Sequence, residues 1–126
     1  MEKIFKAKRL DNGEWHAFNM FDIEWSDDDC FRVKVFLKLP NGNERDSFVF
    51  VSKDTICQFT GINDSEGNRI FEGDQLSAKG EYNSIVKYGR GAFCLQHETD
   101  WPSSWVCFRD IDLKAYTLTG RNIHDN

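Results

Sequence analysis

The sequence predicts a mainly β protein, a small and partly open antiparallel barrel or sandwich. Its apolar residues recur with a period of two, and short runs of this kind are separated by turn residues at regular intervals. Only Ser52–Gln58 (SKDTICQ) reads as a short helical turn, because Ser52 is placed to cap the backbone N–H groups that follow it. No repeat, linker or low-complexity stretch divides residues 1–126, so a single domain is expected.

The elements follow in order. IFKAKRL (Ile4–Leu10) alternates Phe5 and Ala7 against Lys6 and Lys8, and Asp11-Asn12-Gly13 turns the chain into EWHAFNMF. DIEWSDDD (Asp22–Asp29) is a charge run and reads as a solvated loop. In FRVKVFLKL, Phe31, Val33, Val35, Leu37 and Leu39 share one face, and Arg32, Lys34 and Lys38 the other, the pattern of a half-buried antiparallel strand. Asn41-Gly42 then predicts a two-residue type I′ hairpin turn, whose central residues both need positive φ, leading into RDSFVFV. Shorter strands are expected at 70–76, 83–89, 91–97, 105–111 and 113–120.

Composition narrows the function. The chain has 126 residues and a formal net charge of −5, with aromatics at 14%; it is long enough for a core of its own, and its charge opposes a role centred on neutralising nucleic-acid phosphates. The basic residues Lys3, Lys6, Lys8 and Arg9 nevertheless cluster on the first strand and are the contacts expected if weak nucleic-acid binding occurs. Uninterrupted apolar runs stop at four residues, as in Phe48–Val51, too short for a membrane span or a signal-peptide core. A cytoplasmic protein without membrane association is therefore expected. The four cysteines, at 30, 57, 94 and 107, form no CxxC and read as small buried apolar residues, so neither a metal nor a cofactor is expected.

FTGINDSEGNRIFEGD (Phe59–Asp74) places glycines at 61, 67 and 73 among Asp64, Glu66, Glu72 and Asp74. With Gly67 as the sixth residue of a calcium loop, the first and twelfth positions fall on Ile62 and Gly73, so the essential carboxylates are missing. No phosphate-binding glycine loop is present either. The stretch reads instead as a strand, a polar turn with Gly67 or Asn68 at positive φ, and a second strand in which Gly73 marks a bulge or tight bend. Asp74 is expected to bond local backbone N–H groups, and the acids to lie on an exposed turn.

QFTGINDSEGNRIFEGDQL resembles the core of the YopX-like proteins, encoded mainly by bacteriophages and prophages, in which Tyr/Phe-Thr-Gly-Leu/Ile, a polar turn and Phe/Tyr-Glu-Gly-Asp follow one another. IFKAKRLDNGEWHAF resembles the family's opening, SKDTICQ the segment before the core, and LTGRNIHDN its Gly-Asn-Ile ending, with Arg121 interposed. The resemblance spans nearly the whole chain. It implies a mainly β fold, expression inside an infected or lysogenic bacterium and an uncharacterised role; Thr60, Gly61, Gly67, Glu72, Gly73 and Asp74 match as structural positions.

No convergent nucleophile, base and stabiliser can be assembled, so an enzyme is not expected. In HETD (His97–Asp100), alternation separates His97 from Glu98. The preferred reading is a non-enzymatic module that binds a host or phage protein and self-associates, with Trp101 and Trp105 of DWPSSW as interface anchors. Weak nucleic-acid binding by a small β-barrel is the alternative.

Overall fold

The computed structural model describes residues 3–89, 91–98, 105–108 and 113–125, with Trp105 represented by its backbone alone. The chain is mainly β as expected, and its residues gather into two compact units, Met1–Gln58 and Phe59–Asn126.

In the first unit, β1 (Ile4–Lys8) and β2 (Trp15–Asn19) form an antiparallel hairpin, and β3 (Ile23–Ser26), β4 (Cys30–Lys38) and β5 (Glu44–Ser52) form a meander in that order. The start of β6 (Cys57–Asn63) pairs with β1 at Phe5 and Lys6. Just past β1, Arg9 bridges Val51, and the Leu10 N–H donates to the Phe50 carbonyl at 3.0 Å. Residues 9 and 10 thereby join the hairpin to the meander along one edge, giving a sheet that curls without closing.

Alternation decides what this curl encloses. Val33 is opposite Val49 and Phe31 opposite Val51, and the four valines Val33, Val35, Val49 and Val51 pack with Ala7 and Phe18 as the core. Their strand neighbours Arg32, Lys34, Phe36, Phe48 and Phe50 face outward. The expected helical turn is a 3₁₀ turn at Lys53–Thr55, with Ser52 Oγ accepting from the Asp54 N–H at 3.2 Å.

Two local expectations are corrected. The β4–β5 loop is not a two-residue type I′ turn: Lys38 pairs with Glu44, the Leu39 N–H donates to the Asn43 carbonyl, and the Gly42 N–H returns to the Leu39 carbonyl. Pro40 holds φ near about −65°, which suits the first corner of a type I turn and forbids the mirror-image one. Gly42 then takes the left-handed position at φ 87° in a three-residue loop. The run Asp22–Asp29 is also not all loop, since Ile23–Ser26 pair with β4 as an edge strand. Only the three aspartates turn, with Asp27 Oδ1 accepting from the Asp29 and Cys30 N–H groups.

The second unit contains a five-stranded antiparallel sheet in the order β11-β10-β9-β8-β12. These strands are β8 (Asp74–Ser77), β9 (Ser84–Gly89), β10 (Ala92–His97), β11 (Trp105–Cys107) and β12 (Thr117–Asn122). The second half of β6 pairs with β7 (Arg69–Phe71). Ile70, Leu76, Val86 and Leu95 are fully buried with Leu113 and Tyr116 against them.

Buried carboxylates organise this unit. Asp64 is 5% exposed and Asp74 3%, which corrects the expectation of exposure for these two acids, while Glu66 lies exposed on the turn as expected. Asp64 Oδ1 accepts from the N–H groups of Glu66 (3.0 Å) and Asn68 (2.8 Å), while Oδ2 accepts from the Leu118 N–H at 3.0 Å. Asp74 Oδ2 accepts from the Phe71 N–H at 2.8 Å, as the expected local bond, and Oδ1 from Asn122 Nδ2 at 2.9 Å. The turn's unsatisfied N–H groups and the start and end of β12 thus share two anionic acceptors.

Between those attachment points β12 slips register: Leu118 is opposite Leu76 and Asn122 opposite Asp74, with Thr119-Gly120-Arg121 bulged. β6 does the same, with Phe59 opposite Phe71 and Asn63 opposite Arg69 around Thr60-Gly61-Ile62. Gly61 and Gly120 have φ of 86° and 88°, and each preceding threonine Oγ1 accepts the N–H two residues on, at 3.2 and 3.3 Å. Gly73 marks a tight turn between β7 and β8, not a bulge.

Two predictions follow from this clasp. At Gly73 an added Cβ would lie 2.9 Å from Ile123 Cγ1 and 3.1 Å from Asn122 Nδ2, whereas at Gly67 it would meet nothing within 4 Å. Gly67→Ala should therefore cost only the left-handed backbone penalty, about 1–2 kcal/mol, and Gly73→Ala roughly 2–4 kcal/mol once crowding is added, measured by urea unfolding. For Asp64, burial pushes the carboxyl pKa up, but backbone donors from Leu118, Asn68 and Glu66 outweigh it and hold the group below its ordinary value. Its stabilisation is complete above the unfolded pKa of about 4 and is lost as pH falls through the lower folded value. Asp64→Asn should start about 1–3 kcal/mol less stable, with a buried donor unsatisfied. The difference between wild type and variant should shrink on acidification; a constant difference would contradict this assignment.

Candidate protein-interaction face

The outward side of the β3–β4–β5 meander carries a set of aromatic side chains. Trp25 lies opposite Arg32, Arg32 opposite Phe50, Lys34 opposite Phe48, and Phe36 opposite Asp46. Phe36 is 72% exposed, Trp25 49%, Phe50 47% and Phe48 43%. The rings are arranged by contacts within the sheet: Trp25 meets Phe50 edge-on with centroids 6.2 Å apart, and the Arg32 guanidinium sits 4.3 Å from the centre of Phe48. Lys34 Nζ is 3.2 Å from Asp46 Oδ2. Arg32 is thus spread over a ring and Lys34 is neutralised locally, leaving a largely apolar face on which Trp25, Phe48 and Phe50 are held by contacts within the sheet.

A capped turn carries a further exposed aromatic. Asn19 Oδ1 accepts from the Phe21 N–H at 2.9 Å, and Asp22 Oδ2 accepts from the Asn19 N–H at 3.1 Å, closing a capping box around Met20–Asp22. This turn lies beside β4 and holds Phe21 97% exposed. Its backbone bonds fix the aromatic outward, where it buries almost nothing.

The basic first strand is organised differently from expectation. Lys6 and Lys8 both stand over the Trp15 ring, at 4.7 and 5.4 Å from its centroid. Arg9 points to another partner, donating from Nε (2.8 Å) and Nη2 (2.6 Å) to the two carboxylate oxygens of Asp11. That pairing holds the Asp11 carboxyl below its usual range. Lys3 is exposed. The four cations therefore do not form one stripe: two share a tryptophan and a third is neutralised.

In the second unit, Ser84 Oγ lies 2.7 Å from His97 Nδ1 across the β9–β10 pair, a contact resembling a nucleophile and its base. Ser84 is 0% exposed. The pair is a cross-strand hydrogen bond that satisfies a buried hydroxyl. A cleft of about 600 Å³ is lined by Gln75, Ile85, Glu98, Arg121, Ile123 and Asp125 among others. Gln75 Nε2 donates to both Glu98 oxygens at 3.0 and 3.2 Å, and Thr119 Oγ1 donates to Gln75 Oε1 at 2.7 Å. Arg121 reaches this cleft because the β12 bulge accommodates it.

Of the residues singled out from sequence, Thr60, Gly61, Gly67, Glu72, Gly73 and Asp74 all serve the clasp of the second unit. Thr60 Oγ1 donates to the Ile70 carbonyl at 2.8 Å, and the Glu72 carbonyl accepts from Asn122 Nδ2 at 3.4 Å. Trp101 lies outside the described residues, and the side chain of Trp105 does as well. The exposed aromatics of the meander were not singled out. Phe36 was legible, as an apolar residue on an otherwise charged strand face. Phe48 and Phe50 were not, because Phe48–Val51 is apolar on both faces until its pairing with β4 is known.

Among the described residues no helix is long and apolar enough to cross a membrane. No curated protein matched the chain by sequence. The family model described as YopX protein matches residues 4–126, taking in both units and the whole clasp. The chain belongs to the YopX family.

Proposed function

We propose that this chain is a phage- or prophage-encoded accessory protein that works in the bacterial cytoplasm as a non-enzymatic protein-binding and assembly module. The carrying observation is the outward face of β3–β4–β5, where Trp25, Phe36, Phe48 and Phe50 stand exposed around Arg32. Aromatics with arginine at their centre are the composition of interface hot spots. Trp25, Phe48 and Phe50, already held by contacts within the sheet, lose little entropy on docking.

The occupant we assign is a second copy. Lys34 is paired with Asp46 and Lys38 lies opposite Glu44, so the face carries charges of both signs with which to meet its own image. Past Val33, β4 extends beyond its pairing with β3, so Phe36 also borders strand edge. Nucleic acid is the weaker reading, supported by Lys6 and Lys8 over Trp15 but opposed by the net charge of −5.

Light scattering during size-exclusion chromatography should give a mass above that of the 14.7 kDa chain, rising with loading concentration. Phe36→Ser with Phe48→Ser should weaken association by about 2 kcal/mol or more, roughly 30-fold, with the far-ultraviolet circular dichroism unchanged. Wild type and variant both eluting as single chains at every concentration would remove the second copy as occupant. Titration with single-stranded DNA should leave tryptophan fluorescence unchanged at physiological salt. A salt-sensitive change lost on Lys6→Glu with Lys8→Glu would instead establish the nucleic-acid reading.

A further inference from the structure

The four cysteines do not form a uniform set of core residues. All are thiols, but Cys94 and Cys107 face each other directly across the β10–β11 pair, with their sulfurs 3.5 Å apart. Cys94 is 4% exposed and Cys107 is half-buried, so Cys107 is the more accessible member of the pair. Cys30 and Cys57 lack this arrangement. Cys57 is 1% exposed and its Sγ is directed to the Thr55 carbonyl, while burial and the adjacent Asp27 push the Cys30 thiol pKa up.

We propose that Cys94 and Cys107 are a thiol–disulfide exchange site that reacts with small-molecule disulfides and closes reversibly into a cross-strand disulfide. The thiolate of Cys107 attacks one sulfur of oxidised glutathione; the glutathione S–S bond breaks, a Cys107–glutathione bond forms, and one glutathione thiolate leaves. Cys94, as thiolate, then attacks the Cys107 sulfur and expels the second glutathione. The two cysteine protons end on the two released glutathione molecules. Two electrons pass from the cysteine pair to glutathione, so two protein thiols and one oxidised glutathione become one protein disulfide and two reduced glutathiones.

Geometry favours closure and easy reversal together. Residues directly opposite on antiparallel strands hold their Cβ atoms about 4.5–5.5 Å apart, slightly wider than the roughly 3.5–4.5 Å of a relaxed disulfide. β11 has three residues and lies at the sheet edge, which lets it move inward to meet Cys94. A bond made across a pairing that must tighten to form it is more readily reduced than a relaxed one. Closure would cross-link β11 to β10 and enclose the intervening sequence, Trp101 included, in a covalent loop. This site is independent of the aromatic face of the first unit.

The test is incubation of the folded full chain with oxidised glutathione, then alkylation of remaining thiols and peptide mapping by mass spectrometry. Two of the four thiols should be lost, both in one cross-linked species joining the peptides of Cys94 and Cys107, with Cys30 and Cys57 still alkylated. Mild reduction should restore all four. Cys94→Ser should stop the reaction at one glutathione on Cys107. Cys107→Ser, a change at a half-exposed position, should leave Cys94 unmodified. All four thiols remaining alkylatable in the wild type, or a persistent glutathione on Cys107 without cross-linking, would overturn the proposal.

Discussion

A carboxylate buried against backbone N–H groups is costly to place and hard to remove, and the second unit is arranged around two of them. Asp64 lies in a turn whose own N–H groups need acceptors, yet one of its oxygens is given to Leu118, 54 residues away. Asp74 divides itself likewise between the local Phe71 N–H and the distant Asn122 amide. Each acid therefore shapes its own turn and holds an end of β12 with the same group. Removing either would leave buried or part-buried donors without their acceptor, a costly loss in a hydrogen-bonded network. The last strand is consequently fixed at Leu118 and at Asn122, and the bulge between them is free to project Thr119 and Arg121 outward.

The first unit is held by a different principle. Its core is built from β-branched valines in register on facing strands, which fit a pleated surface and need no polar anchor. With the inner face filled, every second residue must point outward, and here several of those are aromatic where charge alone would keep the protein soluble. Cations and rings then cover one another: Arg32 on Phe48, and Lys6 and Lys8 on Trp15. Such contacts soften the exposure without ending it, and Phe36 and Phe21 have no such cover of comparable extent.

What the sequence made legible follows the range of the physics involved. Alternation is local, so β4 and β5 and the shared face of Val33 and Val35 could be read directly, whereas the burial of Val49 and Val51 in place of Phe48 and Phe50 depends on the pairing with β4. Pro40 was also local, but its fixed φ competes with the Asn-Gly preference, and the proline prevails. β3 was hidden because the acids of Asp22–Asp29 mask the apolar spacing of Ile23 and Trp25. The contacts that matter most for chemistry join distant residues, as with Asp64 and Leu118, Ser84 and His97, and Cys94 and Cys107. Periodicity reveals that strands exist and not which strands meet, so none of these pairs could be read in advance.

One long-range relation nevertheless left a trace in the sequence. Phe59-Thr-Gly-Ile-Asn63 and Leu118-Thr-Gly-Arg-Asn122 share an apolar residue, Thr-Gly, a variable residue and Asn. Both slip register by the same two residues, and both use threonine to accept the N–H that the slip exposes. Glycine at positive φ is what lets each strand bend there. Three residues are released from ladder pairing at each site, and the variable one is Ile62 in the first and Arg121 in the second. Arg121 therefore leaves Asn122 in its place opposite Asp74. It sits within the bulge with its N–H donated to Thr119 Oγ1, while Gly120 holds positive φ and Asn122 donates to the Asp74 carboxylate.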